Sequence, residues 1–584
     1  MKKNYIRIII FAIVSVLALT AFEGFSFAPV LAVSSAVKFE AEKAVLTGGA
    51  IIGKKYVGAS SRAYVVFPRG NVKAKTSFTF KYSKATTMDL TLRYSNGNKV
   101  AKAIALYKNN VYFKTLSILP TGSFTKWKTI VRTISFPSGK TVFTLRSSDK
   151  TSLVFDYISM FPSKSYSVTL DFETKYQSII GFGGFGGNDA SATFSTQKYV
   201  DDVYDDLGAS IYRAQVEQSF QATNDGSSVD VINMSSFNRN GMFKQWLDYF
   251  KAVKAKGPSK VFLSVWSPPA WMKSNKSVDN GGSLLPEFYQ HFAKYCAAYV
   301  MAMQQGGVDI YAFSIQNEPN FPEPYPSCVY SPEQYAAVNA TVAARFKKEG
   351  LNVKLLGPED IGDVNRISSY VFGMEQAGKL DSLDIIAVHG YGDDGVNPGS
   401  DVLFWDSAYA LARDFKKPLW MTETSGYKND WASCLILGEN INKALSSGRI
   451  SAWVWWRISD NMPNRNEMEG LMKNMVPTKK YYVSKNFYKY VRPGAIRYYV
   501  KSEYSDLSIT AYKHPDSKKL TLVIVNQAAV ARNISIGAIN GGVTPTQFSS
   551  YRTSETENCI DAGIVNSTGV QLPASSITTL QADY

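Results

Sequence analysis

The chain has 584 residues, a formal net charge of +16, 13% aromatic residues, four cysteines and three histidines. That length exceeds one ordinary domain and calls for two or three. Cys296, Cys328, Cys434 and Cys559 are too few and too scattered for a disulfide framework or a zinc cluster, although a single disulfide stays open. Three histidines exclude a His-rich metal site. A basic balance can serve nucleic acid, anionic lipid or acidic polysaccharide. Lysine and arginine are spread along the chain with no arginine-rich arm and no recognisable nucleic-acid module, so nucleic acid ranks last and no such partner is expected. Solvated surface charge and attraction to an acidic glycan remain.

Residues 1–32 read as a secretion signal. Lys2, Lys3 and Arg7 precede an apolar run from Ile8 to about Ala21, and Val30-Leu31-Ala32 resembles a cleavage site. The run is short for a membrane span of about 20 residues. The expectation is an extracellular protein with no membrane attachment after cleavage. Residues 37–162 carry short alternating runs, such as Ser77–Tyr82, Asp89–Tyr94, Thr129–Phe136 and Thr141–Arg146, parted by Gly, Asn, Ser and Lys turns. So many short strands predict a β-sandwich of jelly-roll type.

From about residue 178 the pattern changes. Eight apolar runs are predicted as strands: Ile179–Phe182, Ser210–Val216, Lys260–Trp266, Asp309–Gln316, Val353–Gly357, Leu383–His389, Pro418–Glu423 and Ile450–Ile458. They alternate with helical patterns near 195–207, 242–256, 285–305, 332–348, 364–378, 402–414, 431–447 and 478–490. Strand–helix alternation implies a parallel sheet, and eight units imply a closed (β/α)8 TIM barrel over residues 166–491, whose first few residues can join a side domain. Short β runs return in residues 492–584, which predict a small β side domain packed on the barrel. The expected class is therefore multidomain, with a β-sandwich, a barrel and a β side domain, and the expected state is a monomer.

In this fold, chemistry sits where strands end and loops begin. The fourth strand runs out through Gln316-Asn317-Glu318-Pro319. The seventh runs out through Trp420-Met421-Thr422-Glu423. Strands four and seven lie on roughly opposite sides of the ring, so Glu318 and Glu423 face each other. Two facing carboxylates are what glycosidic cleavage needs: one protonates the leaving oxygen, and the other meets the positive anomeric carbon. His389 and Tyr391 at the end of strand six would line the cleft, with Trp266 and Trp456 as its walls. Glu217, Glu359 and Asp460 also end strands and are either sugar-binding groups or bystanders.

The stretch from about 166 to 584 resembles glycoside hydrolase family 30, in its xylanase-like branch. The resemblance rests on Gly181-Phe182-Gly183-Gly184, Ser267-Pro268-Pro269-Ala270-Trp271-Met272-Lys273, Gln316-Asn317-Glu318-Pro319, Trp420-Met421-Thr422-Glu423, Trp453-Val454-Trp455-Trp456, and Lys479-Lys480-Tyr481-Tyr482 through Tyr490-Val491-Arg492-Pro493-Gly494. It implies cleavage with retention, Glu423 as nucleophile and Glu318 as acid and then base. It also implies that Asn317 bonds the sugar 2-hydroxyl and that Arg213 pairs with the nucleophile.

Residues 37–161 resemble carbohydrate-binding modules of families 6 and 35. The features are Phe39-Glu40-Ala41-Glu42, Tyr56-Val57-Gly58, Leu92-Arg93-Tyr94-Ser95-Asn96-Gly97, Trp127 and Asp156-Tyr157-Ile158. The resemblance implies a structural calcium on Glu40, Glu42 and Asp156, whose hard oxygens suit that ion. Such modules usually carry a sugar-contacting asparagine where this chain has Val154. No cofactor is expected for catalysis.

The substrate expected is a plant-type polysaccharide, xylan first, cut by an endo-β-1,4-xylanase. Glucuronate-reading members carry a tyrosine pair after the nucleophile and an arginine motif after strand eight. Here Thr424-Ser425-Gly426-Tyr427 follows the nucleophile, and Arg457 and Arg465 do not form that motif. The alternatives are a β-1,6-glucanase or galactanase, a non-catalytic carbohydrate-binding protein, and a surface protein that binds anionic polymers by charge alone.

Overall fold

The computed structural model describes residues 37–83, 85–147, 152–162, 166–186, 196–361, 364–392, 402–460, 469–540, 542 and 544–584. The predicted secretion signal and Arg465 lie outside the described residues. The chain parts into two compact units between residues 163 and 164.

The first unit is a sandwich of two antiparallel sheets. One holds strands Val45–Thr47, Lys75–Tyr82, Gly139–Ser147, Lys102–Lys108 and Val111–Ile118. The other holds Ile51–Gly53, Tyr64–Phe67, Leu153–Pro162, Thr86–Ser95 and Lys128–Phe136, with Val37–Glu40 on the Leu153–Pro162 strand. Successive side chains of a strand point to opposite faces, so a period of two buries one face. Lys75–Tyr82 shows it: Thr76, Phe78, Phe80 and Tyr82 are buried, and their neighbours are not. Phe80 meets Phe136 edge-on with centroids 5.6 Å apart, and Phe67 meets Phe155 at 4.9 Å.

The second unit contains the barrel. Its strands are β1 (Gly181–Phe185), β2 (Ile211–Gln215), β3 (Lys260–Ser264), β4 (Ala312–Ser314), β5 (Lys354–Asp360), β6 (Ile385–His389), β7 (Leu419–Glu423) and β8 (Ala452–Trp455). All pair in parallel, and β8 closes on β1. The helices are α1 (Gln197–Val200, continued as a π-helical stretch Asp201–Leu207), α2 (Met242–Lys256), α3 (Tyr289–Gln305), α4 (Pro332–Lys348), α5 (Val364–Gln376), α6 (Val402–Asp414), α7 (Trp431–Ser446) and α8 (Lys479–Tyr488). Each predicted strand and helix has its counterpart, and the multidomain β-sandwich and TIM-barrel class holds. Helices start where the sequence caps them: Ser331 accepts from Gln334 N–H before α4, and Asp430 from Ser433 N–H before α7.

The barrel's interior is packed. Ile211, Phe262, Leu356, Ile385, Trp420 and Val454 fill one layer, so the tube is a core with two mouths. Short residues at β1 allow close approach: a Cβ on Gly183 would meet the Ile211 carbonyl oxygen at 1.7 Å.

A nine-stranded sheet flanks the barrel. It is built from Ile496–Ser502, Leu507–His514, Lys519–Asn526, Arg532–Ile539, Gln547–Thr553, Ile560–Asn566, Thr568–Leu572 and Ser576–Asp583, together with Tyr166–Ser178. Tyr166–Ser178 runs antiparallel to Ile496–Ser502 and parallel to Arg532–Ile539, so the segment before the barrel is built into the sheet that follows it. All four cysteines are buried and free.

Candidate active site

The C-terminal ends of β2, β4, β5, β6 and β7 bring one cluster of buried polar side chains together. Glu423 ends β7, and its Oε2 is paired with Arg213 Nη1 from β2. The other guanidinium nitrogen, Nη2, donates to Asn317 Oδ1 at 2.6 Å and lies 3.1 Å from Glu359 Oε1 at the end of β5. Arg213 Nε donates to Ser264 Oγ at 3.2 Å, and the guanidinium lies 4.6 Å from the Trp266 ring centroid. One buried cation thus holds two carboxylates and a carboxamide in place. Asn317 spends its oxygen on Arg213, which leaves the donor end of its amide for other partners.

Glu318 follows β4. His389 Nδ1, at the end of β6, lies 2.8 Å from Glu318 Oε1. His389 Nε2 faces Glu423 Oε2 at 3.9 Å and Glu359 Oε1 at 4.0 Å. Tyr391 donates to Glu423 Oε1 at 3.2 Å and lies 3.3 Å from Ser425 Oγ. Glu318, His389 and Glu423 each offer a ligand-type atom, all within 4.8 Å of one another, the one such trio among the described residues. Glu40, Glu42 and Asp156 do not meet that spacing.

Glu318 and Glu359 both sit in the left-handed backbone region, at φ 49° and 57°. Non-glycine residues pay for that conformation, and such positions gather at functional sites. Backbone bonds hold them there: Glu318 N–H donates to the Glu359 carbonyl at 3.0 Å, and Phe321 N–H to the Glu318 carbonyl at 3.0 Å.

Burial disfavours a carboxylate's charge. It is the main reason Glu318 is pushed up to about 8, with Glu323 and Glu359 adding to the rise and Arg213 and Asn317 opposing it. Burial pushes Glu423 upward as well, but His389 and Arg213 pull the other way, and Arg213 pairs with it directly. Of the two, Glu318 therefore keeps the proton and Glu423 the charge. Burial brings His389 down to about 4, so the imidazole is neutral at pH 7. A protonated Glu318 donates to Nδ1, which puts the histidine's own proton on Nε2, facing the other two carboxylates.

Phe185, Trp266 and Trp456 form an aromatic wall beside this cluster. Phe185 stacks on Trp456 at 4.7 Å, and Trp266 lies 5.6 Å from Phe185 and 5.9 Å from Trp456. The eight barrel residues predicted from sequence (Arg213, Trp266, Asn317, Glu318, His389, Tyr391, Glu423 and Trp456) are thus placed at one end of the barrel. Of the three strand-end acids left undecided, only Glu359 joins them. Glu217 accepts from Trp246 Nε1 at 2.9 Å, and Asp460 lies 3.6 Å from Arg457. Sequence reasoning also passed over Ser264, Ser425 and Phe185. Glu359 had a visible signal, its place at a strand end, but nothing in the chain separated it from Glu217.

In the first unit, Ser60 Oγ lies 2.7 Å from Glu40 Oε2 and 3.0 Å from Asp156 Oδ1. Asp156 is paired with Arg93, and Ser61 donates to Glu42. Tyr56 stacks on Tyr64 and Phe124 at 5.4 and 5.3 Å, and Trp127 donates to the Val57 carbonyl at 2.9 Å.

A barrel with two facing buried carboxylates and an aromatic wall at its C-terminal mouth has the arrangement that glycosidic cleavage needs. Comparison gives the family. Residues 212–401 match the glycosyl hydrolase family 30 TIM-barrel domain. The chain is 26% identical over 433 residues to glucuronoxylanase XynC of Bacillus subtilis, covering 70% of this chain and 90% of that one. It is 23% identical over 338 residues to an endo-1,6-beta-D-glucanase of Neurospora crassa, covering 53% and 68%. Among solved structures, a family 30 subfamily 8 xylanase from Clostridium acetobutylicum superimposes with a TM-score of 0.59 at 27% identity, over 72% of this chain and all of that one. A family 30 endoxylanase from Clostridium papyrosolvens gives 0.60 at 25% identity, over the same shares. The chain carries a glycoside hydrolase family 30 TIM-barrel domain and is a glycosidase.

Proposed function

We propose that the protein is a secreted, retaining endo-β-1,4-xylanase that works by double displacement. The observation that carries retention is the spacing of the two carboxylates. Oxygens of Glu318 and Glu423 lie within 4.8 Å. Retaining glycosidases hold their carboxyl groups about 5 Å apart, whereas inverting ones leave roughly 6.5–9.5 Å for a water.

In the first step Glu423 attacks the anomeric carbon, the glycosidic bond breaks, and Glu318 gives its proton to the leaving oxygen. Esterified Glu423 has lost its charge, so Glu318 is easier to ionise and accepts a proton from water. That water attacks the anomeric carbon and frees Glu423. Arg213 keeps Glu423 ionised, and Tyr391 fixes its second oxygen. Asn317 offers amide hydrogens to the sugar 2-hydroxyl. Glu359 is a positioning residue: it shares Arg213 with the nucleophile, and its charge helps keep Glu318 protonated.

Xylan is the substrate proposed because two of the relatives, the Bacillus and Clostridium acetobutylicum proteins, are a glucuronoxylanase and a xylanase. Strict dependence on a glucuronate side chain is not part of the proposal. Arg457 is buried and lies 3.3 Å from Glu469 and 3.6 Å from Asp460, and Tyr427 is buried against Trp455. A second reading, β-1,6-glucanase, rests on the Neurospora relative. Product analysis on glucuronoxylan, arabinoxylan and β-1,6-glucan separates them. Xylo-oligosaccharides from both xylans support the proposal, whereas release from β-1,6-glucan alone replaces it.

The first unit is proposed as a carbohydrate-binding module, tested by its retention on insoluble xylan. A calcium there would be held by Glu40, Glu42 and Asp156. Glu42 Oε2 is buried without a hydrogen-bond partner, which suits a cation, while Arg93 on Asp156 competes with one. A fall in Tm on chelation, reversed by calcium alone, supports the ion; an unchanged Tm removes it. Secretion and a monomeric state are read in the supernatant and by light scattering.

A further inference from the structure

We propose that the opposite, N-terminal mouth of the barrel is a second saccharide site, one that takes a carboxylate-bearing sugar such as a uronic acid. A cavity of about 610 Å³ lies there, among the starts of β5, β6 and β7, the residues before β4 and β8, and the Lys175–Ser178 end of the flanking strand. Small-ligand pockets span roughly 300–1,000 Å³.

Charge comes first. The cavity is lined by Lys175, Lys354, Lys417 and Arg449 against a single acid, Asp384. Asp384 Oδ2 is engaged by the Leu355 N–H at 2.8 Å. Among the described residues none of the four cations has a carboxylate partner within ion-pair distance. Unanswered cations around a concavity attract an anion.

Preorganisation comes second. The Arg449 guanidinium sits 4.3 Å from the Tyr409 centroid and 4.7 Å from that of Tyr176, and Nη1 donates to Tyr409 Oη at 2.7 Å. A planar fork held between two rings has little freedom left to lose when it binds a carboxylate.

The floor comes third. Tyr311 stacks on Trp420 with centroids 5.8 Å apart and planes within 4°. Ile180, Ala412 and Leu419 add apolar surface. Trp420 is 1% exposed and backs the floor.

Cations at the rim and a flat aromatic and apolar floor fit a sugar ring that carries a carboxylate. Inorganic phosphate would answer the cations and leave the apolar floor uncovered. The proposal holds whichever glycan the active site cuts.

The test uses the full chain carrying Glu423→Gln, which blocks turnover, in calorimetric titrations at low salt. The ligands are a glucuronate-bearing xylo-oligosaccharide and a neutral one of equal length. Lys354→Glu with Lys417→Glu, and separately Arg449→Met, should weaken the acidic ligand about tenfold or remove one site from its stoichiometry. Neutral binding should stay unchanged. On an otherwise wild-type chain, the lysine pair should leave kcat/KM on a short neutral substrate within twofold. The two lysines reach their positions from surface loops and strand ends, so that variant folds even if Arg449→Met does not. Unchanged acidic binding in the lysine pair overturns the site. Equal loss for neutral and acidic ligands overturns its selectivity. Displacement by sulfate as effective as by free glucuronate reduces it to an inorganic-anion site and overturns the saccharide.

Discussion

The two mouths of the barrel are made by the same eight strands and hold opposite electrostatics. At the C-terminal mouth, Glu318, Glu359 and Glu423 are buried around one arginine, and neighbouring charges act on the protonation of Glu318 and Glu423. At the N-terminal mouth, four cations surround a cavity with one acid, and Arg449 is braced by rings rather than by carboxylates. The first mouth uses burial to set which carboxyl keeps a proton. The second keeps its charges near water, where they can attract but not transform. A strand's end, rather than its sequence alone, therefore decides whether a charged residue does chemistry.

Removing the proposed nucleophile should break this contrast most completely. Glu423→Gln should lower kcat by roughly 10⁴-fold or more, the scale of a lost catalytic nucleophile. A kcat within tenfold of wild type would dismiss Glu423 as the attacking group.

Glu318→Gln comes next. It should cost about 10²–10⁴-fold on polysaccharide, as expected for lost general acid catalysis. Aryl glycosides with good leaving groups should suffer far less in the glycosylation step. Equal losses for both substrate types would deny Glu318 the acid role.

The pH profile sharpens the comparison further. Glu318 is raised to about 8, so kcat/KM should fall as pH rises through that value and the acid loses its proton. The same shift has a stability consequence. A folded value above the unfolded 4.5 means that the stability present below 4.5 is lost as pH rises toward 8. Glu318→Gln should therefore raise Tm over the wild type at pH 7 and leave it equal at pH 4. A wild type that is more stable at pH 7 would contradict the raised value.

Glu359→Gln should have a smaller effect. Its charge supports protonated Glu318, so its loss should move the alkaline limb down by about half a unit to one unit, with kcat reduced about tenfold. A packing role alone would lower Tm and leave the limb in place. The smallest effect should come from the other mouth: Lys354→Glu with Lys417→Glu should leave the pH profile on a short neutral substrate superimposable on the wild type. A displaced profile would mean that the two mouths communicate.

Much of this was legible in the chain. Glu318 and Glu423 stood out because strand period and strand-end position are local properties, readable from a dozen residues each. Arg213 and Asn317 followed from the family resemblance. Sequence alone does not separate Glu359 from Glu217, because both end strands and both follow apolar runs. Only the fold shows that Glu359 meets Arg213 while Glu217 meets Trp246. Tyr166–Ser178 is a similar case: its alternation marks a strand, but its partners lie more than 300 residues away.

The sequence by itself determined the order of strands and helices, the eightfold repeat and the two glutamates, because periodicity, capping and turn residues act over short range. Only the tertiary structure decided which side chains share a cavity, which carboxyl keeps its proton and where cations stand unanswered. Those outcomes depend on burial and on distances of about 3–5 Å between residues far apart in the chain, and desolvation and Coulomb energy exist only once the chain has closed around them.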